Sequence, residues 1–150
     1  MSASREIVEN LLQQHTPVTF QAQGVSMTPT IHDGDLVHVR PAAGPDLRRG
    51  SVILYRNFGR LILHRLVACD PRAARILATG DAALAGGDWI PAGDILGVAE
   101  SVRHNGRNRR LDTALARLAG RLRHALRPLR RALWNFRQPH HAQTPERWYK

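Results

Sequence analysis

A serine in a constrained bend, a histidine inside an apolar run and two glycine-flanked aspartates are the residues of this chain that could do chemistry. Ser26 lies in Gly24-Val25-Ser26-Met27-Thr28-Pro29, a turn-like stretch that could project its hydroxyl into a cleft. A serine in such a turn can equally do no more than satisfy backbone groups. As a nucleophile it needs a base within hydrogen-bond reach. A desolvated lysine could serve, but Lys150, the last residue, is the only lysine, which all but excludes a Ser/Lys pair. Among the eight histidines, His64 stands out, in Leu61-Ile62-Leu63-His64-Arg65-Leu66-Val67. A polar ring in an apolar strand must find a partner, which is also what a core histidine bonded to backbone does. A base usually needs an orienting group. Gly80-Asp81 and Gly87-Asp88 put two carboxylates into one loop after His64, although Asp beside Gly also caps turns. No Gly-rich stretch continues into the Lys-Ser/Thr of a phosphate loop, and no His or Cys pair has metal-ligand spacing. No cofactor and no metal are expected.

The elements that must position these residues are mostly short strands. Ile7, Val8, Leu11 and Leu12 recur at helical spacing, with Ser2 or Ser4 to cap and Thr16-Pro17 to stop, so residues 1–15 read as a helix. Val18, Phe20 and Ala22 alternate as in a strand. Asp33-Gly34-Asp35 is a turn, Leu36–Arg40 a strand, and Pro41–Arg49 a loop rich in Pro, Gly and charge. Ser51–Tyr55 and Leu61–Val67 form a hairpin around Asn57-Phe58-Gly59. Arg75–Ala78 is a short strand, Gly80–Pro91 a loop and Ile95–Val102 a final strand. Strands at this spacing without intervening helices predict a mainly β body over residues 16–102, an antiparallel barrel or folded sheet.

Charge divides the chain. Residues 1–102 hold nine Arg against ten Asp and Glu, a balance of −1. Residues 103–150 hold twelve Arg and one Lys against Asp112 and Glu146, a balance of +11. Leu111, Leu115, Leu118, Leu122, Leu126, Leu129, Leu133 and Phe136 step by threes and fours, a sustained helical stripe beside a face of arginine. Pro128 should kink or split that helix near Leu126. Gln138 to Lys150 carries two Pro and little periodicity and is expected to be disordered. The single cysteine, Cys69, excludes an internal disulfide framework and a Cys-rich zinc site. The absence of a signal peptide and of a run near the ~18 apolar residues of a membrane span predicts a cytoplasmic protein.

Taken in order, these pieces resemble a known superfamily. Gly-x-Ser-Met-x-Pro-x-Ile-x-x-Gly-Asp at residues 24–35, Leu47–Ile53, His64-Arg65-Leu66-Val67, Thr79-Gly80-Asp81 and Ile95-Leu96-Gly97 resemble the signal peptidase I superfamily, which includes the LexA-type self-cleaving repressors. The resemblance spans about residues 16–102. Bacterial signal peptidases and the repressors use a Ser/Lys dyad. The endoplasmic-reticulum and archaeal type has His in place of Lys, within a His-Arg-hydrophobic motif, and this chain looks like that type. It departs from signal peptidases in lacking a membrane span. It also has Gly24 where many relatives carry a hydroxyl residue. The resemblance implies a signal-peptidase/LexA-like fold and a serine endopeptidase of the signal-peptide-processing kind. It makes Ser26 the nucleophile, His64 the general base and Asp81 or Asp88 its orienting acid. Attack by Ser26 on a peptide carbonyl, with His64 moving the proton, would give an acyl-enzyme that water resolves. An extended peptide would add at a sheet edge, with small side chains near the cut.

A catalytically inactive peptide-binding or regulatory module of the same fold is the alternative. Self-cleavage is a third possibility, at the small-x-small sites Ala83-Leu84-Ala85 or Ala114-Leu115-Ala116. The basic stripe over residues 111–136 has three readings. It could fold back over an apolar patch of the body. It could lie on anionic lipid as an amphipathic peripheral-membrane helix. It could also bind nucleic acid, which suits the interleaved aromatics Trp134, Phe136, Trp148 and Tyr149 but leaves the leucines without a use.

Overall fold

The computed structural model describes residues 2–42 and 47–137. Helix α1 (Ser2–Gln13) is followed by strands β1 (Val18–Gln21), β2 (Leu36–Pro41), β3 (Val52–Asn57), β4 (Arg60–Asp70), β5 (Arg75–Thr79) and β6 (Asp88–Pro91). A 3-10 turn (Ala92–Asp94), strands β7 (Ile95–His104) and β8 (Arg107–Arg110), and helices α2 (Ala114–Ala125) and α3 (Arg127–Arg137) complete the order. The strands form one antiparallel sheet, β1-β2-β7-β3-β4-β5-β6, curled into a half-barrel. β7 pairs with β2 along one edge, and on the other with β3 near its start and β8 near its end.

The central strand explains the two-sided core. Val52, Ile53, Leu54 and Tyr55 are all fully buried. Their side chains alternate, Val52 and Leu54 into one cluster with Leu12, Met27, Val37 and Val102, and Ile53 and Tyr55 into a second with Leu66, Ile76, Ile90 and Val98. A strand covered on both faces reads as a continuous apolar run. The same alternation along β4 sends Leu61 and Leu63 to the first cluster and Ile62 and Leu66 to the second. Two-residue turns close the β3–β4 and β7–β8 hairpins with positive φ at Phe58-Gly59 and Asn105-Gly106, as primed hairpin turns require.

Several boundaries depart from the sequence reading. α1 ends at Gln13, before Thr16-Pro17, where His15 enters the left-handed region. The loop expected over 80–91 contains β6, which pairs with β5 and buries Ile90. One buried isoleucine, worth about 1.5–3 kcal/mol, is too short a signal to mark a strand in sequence. The basic segment begins as sheet, because β8 pairs with β7 and Leu111 is buried in the first cluster. The helix therefore starts only at Ala114, where the Thr113 hydroxyl accepts the Ala116 N–H (3.1 Å). The expected break falls at Leu126, between α2 and α3. Phe136's side chain and the segment 138–150, with Trp148 and Tyr149, lie outside the described residues. Among those described, no helix is long and apolar enough to cross a membrane.

α2 and α3 do fold back, but with the other face inward. Arg117, Arg123, Arg127 and Arg130 donate to the body or to its connecting turn, and Gly120 is buried against the Arg65 guanidinium. A Cβ at Gly120 would stand 2.2 Å from Arg65 Nη1. From Leu115 to Leu133 the leucines stay about half exposed or more.

Candidate active site

Ser26 lies in the loop between β1 and β2, at the rim of a cleft of about 380 Å³. Phe20 from β1, Val8 from α1 and Leu61 and Leu63 from β4 supply its apolar wall. Gly24 has φ 92°, and its N–H donates to Asp33 Oδ1 (2.7 Å), which folds the loop. The Ser26 side chain is exposed, while its carbonyl accepts the Ala82 N–H (2.9 Å). Gly80 makes that approach possible, since a Cβ there would lie 2.4 Å from the Ser26 oxygen. The serine loop thus rests on the turn that carries Asp81. Asp35, in the Asp33-Gly34-Asp35 turn, accepts His104 Nδ1 (2.5 Å) and the His32 N–H (2.8 Å). His32, Asp35 and His104 are the one group of potential metal donors among the described residues, and these contacts tie the turn to the end of β7.

His64 and Arg65 are consecutive on β4 and therefore point to opposite faces. His64 sits on the face of Ile62 and Leu66 and meets Tyr55 diagonally across β3–β4. Tyr55 Oη lies 3.0 Å from His64 Nδ1 and donates to Asp88 Oδ2 at 3.1 Å. Asp88 Oδ2 is 3.9 Å from the same ring nitrogen. The phenol has one proton. If Asp88 takes it, His64 must donate from Nδ1, which leaves Nε2 with the lone pair. Burial holds the His64 pKa below its ordinary value; the Asp88 charge opposes this, Arg127 adds to it, and Asp81 opposes it more weakly. The ring is accordingly neutral at pH 7, the form a general base needs. Burial, reinforced by the Asp88 charge, raises the Tyr55 pKa and keeps it a phenol.

Arg65 faces the other way and meets Asp81. Its Nε donates to Oδ1 (2.7 Å) and its Nη2 to Oδ2 (2.6 Å), a two-pronged pair with both side chains buried. Thr30 donates to the same carboxylate, and Arg123 of α2 joins at 3.1 Å. Burial alone would raise the Asp81 pKa. Hydrogen bonds and charge from Arg65, with Thr30 and Arg123, outweigh it and hold the carboxyl below its ordinary value. Arg127 donates to Thr79 Oγ1 (2.7 Å) and to the carbonyls of Gly80 and Gly86. Arg130 reaches the Asp81 carbonyl (3.2 Å). The first helices after the sheet therefore hold the turn on which Ser26 rests.

Of the four sequence candidates, Asp88 lies beside His64, Asp81 is saturated by Arg65, and Ser26 packs on the Asp81 turn. Arg65, next to His64 on β4, pairs across β4–β5 with Thr79, beside the Gly80 on which Ser26 rests, while the Leu61 and Leu63 wall of the Ser26 cleft lies on the face of β4 opposite to His64. Among the described residues no hydrogen bond joins Ser26 to His64. Tyr55, Arg65, Thr30, Arg123 and Arg127 were missed as site residues. Tyr55 and Arg65 carried a signal, since a phenol and a guanidinium in apolar strands need partners just as His64 does. The others carried none.

Residues 4–83 match a family model described as Peptidase S24-like, more than half of the chain of 150. The chain belongs to the Peptidase S24-like family. The resemblance to the LexA and signal peptidase I superfamily holds at this level, and at the family level this is a serine-peptidase-like protein. No curated protein matches it. The matched span of this S24-like chain includes Ser26, His64 and Asp81, and it ends before Asp88.

Proposed function

We propose that this S24-like chain is a serine endopeptidase with Ser26 as nucleophile and His64 as general base. The observation that carries the reading is the hydrogen-bonded series Asp88, Tyr55, His64, which with Nδ1 protonated would offer Nε2 as the base. Nε2 would take the Ser26 hydroxyl proton as the oxygen attacks a peptide carbonyl. The imidazolium, steadied by Asp88 through Tyr55, would give that proton to the leaving amine, and water would then release the acyl group. The reading requires the serine–base hydrogen bond to form in the substrate-bound state. Histidine in the place of the family's lysine aligns the chain with the histidine-type signal peptidases. An extended peptide with small side chains near the cut suits the apolar cleft beside β1, an edge strand of the sheet. Self-cleavage at Ala114-Leu115-Ala116 is disfavoured, because that segment opens α2 and is not extended.

A peptide-binding module of the same fold is the second reading, and the missing Ser26–His64 hydrogen bond favours it. Incubation of the protein with a diverse peptide library, read by mass spectrometry, separates the two. Cleavage that disappears in both Ser26→Ala and His64→Ala supports the peptidase. Enrichment of bound peptides without cuts, equal in all three proteins, supports the module.

A further inference from the structure

The leucine stripe of α2 and α3 is largely uncovered, although Leu118 and Leu122 border a cleft against Leu66 and Val67, and Leu133 one beside Leu84. Leu115, Leu118, Leu122, Leu126, Leu129 and Leu133 are between 48% and 79% exposed. An amphipathic helix on a globular body ordinarily buries this stripe and solvates the charged one. Here the arginines are committed inward, Arg127 being buried and Arg117, Arg123 and Arg130 hydrogen-bonded. An apolar ridge running over two helices exceeds the scattered surface leucines of an ordinary monomer.

Charge identifies the occupant. α2 and α3 contain no Asp or Glu, and Arg121 and Arg131 remain exposed on them. A second copy would bring the same cations to the ridge with no acid to pair them. Nucleic acid would leave the leucines unused. An anionic lipid surface takes both features, with leucines among the acyl chains and arginines at the headgroups. We propose that the ridge of α2 and α3 lies on anionic lipid. Through the inward arginines, the turn of Thr79 to Asp81 is then held about one helix diameter, ~10 Å, above the membrane. The proposal is independent of the peptidase reading.

The test is co-sedimentation of the full-length protein with vesicles of equal phosphatidylglycerol and phosphatidylcholine. Leu115→Gln/Leu129→Gln is the variant; both side chains are more than half exposed, and an unchanged Tm verifies its fold. The wild type is expected to bind, and to keep part of its binding at ~1 M salt, where the Debye length is about 3 Å. The variant should lose at least about tenfold in partitioning. Absence of binding overturns the proposal. Binding that is equal in the variant and abolished by salt overturns it too, assigning attraction to charge alone. A dimer in sedimentation equilibrium that the variant dissolves gives the ridge to a second copy, and leucine-dependent capture by an acidic amphipathic peptide in place of vesicles gives it to a protein partner.

Discussion

Asp81 and Asp88 stand seven residues apart, each after a glycine, yet their surroundings are opposite. Asp81 is buried and saturated, with a guanidinium on both oxygens and Thr30 and Arg123 beside it. Asp88 has a side chain 49% exposed and reaches a single phenol, which in turn reaches a histidine. A saturated carboxylate has no oxygen left for a further partner, although its charge still acts on His64. The Asp88 series ends on a nitrogen with no partner among the described residues, so it has something left to give a substrate. The face of β4 decides which acid does which, because Arg65 and His64 are neighbours that point apart.

The sharpest way to break this contrast is to neutralise Asp81. Asp81→Asn keeps the shape but strands a buried guanidinium, and should cost about 3–5 kcal/mol, read as a lower urea midpoint. The pH dependence has a definite sign. A carboxyl whose pKa is lower folded than unfolded stabilises the protein above its unfolded value, near 3.9, and that contribution disappears as pH falls through the folded value. The wild type should therefore lose stability below about pH 4, and Asp81→Asn should show a flatter curve there. A variant as stable as the wild type at pH 7 would show that the buried pair does not hold the fold.

Asp88→Asn should do the reverse. Its side chain is half exposed, so stability should change by less than about 0.5 kcal/mol. Peptide cleavage should fall about 10- to 100-fold, less than for a fully buried triad aspartate because Asp88 acts through Tyr55. Equal cleavage in the wild type and Asp88→Asn would remove Asp88 from the mechanism and leave His64 oriented by Tyr55 alone.

How much of this contrast the sequence carried depends on the length and periodicity of each signal. β3 was legible because four successive apolar residues, Val52 to Tyr55, mark a strand buried on both faces. The serine bend and His64 were legible as candidates because a polar group in an apolar run demands a partner. The choice between Asp81 and Asp88 was not, because it depends on register across β3, β4 and β5, which no local pattern encodes. β6 escaped because one buried Ile90 sets it. The orientation of α2 stayed open among three readings, because Gly120 and the long arginine side chains make the polar face the one that fits Arg65 and the Asp81 turn, which no helical period encodes.

Removing only the phenol hydroxyl sharpens the comparison further. Tyr55→Phe keeps the buried ring and breaks both hydrogen bonds of the series. Loss of a partially buried hydroxyl pair should cost about 1 kcal/mol. Cleavage should fall by roughly tenfold, less than in Asp88→Asn, because Asp88 at 3.9 Å still acts on the ring by charge. A larger loss in Tyr55→Phe than in Asp88→Asn would make the phenol itself the reacting partner.

The smallest effect is the most diagnostic, because it has two signs. Asp88 raises the His64 pKa and Arg127 lowers it. Asp88→Asn should therefore move the His64 titration to lower pH, and Arg127→Gln should move it higher. The measurement is NMR of the histidine ring signals, with His64 assigned by the peak missing in His64→Ala, so it needs no cleavage. Where cleavage occurs, its acid limb should follow the same two directions, since the rate requires neutral His64. Arg127 also holds Thr79 and Gly80, so an unchanged Tm in Arg127→Gln must accompany the shift for charge to be its cause. Shifts of the same sign in both variants would mean that altered burial dominates over charge, and Asp88 would then be no more an orienting acid than Asp81.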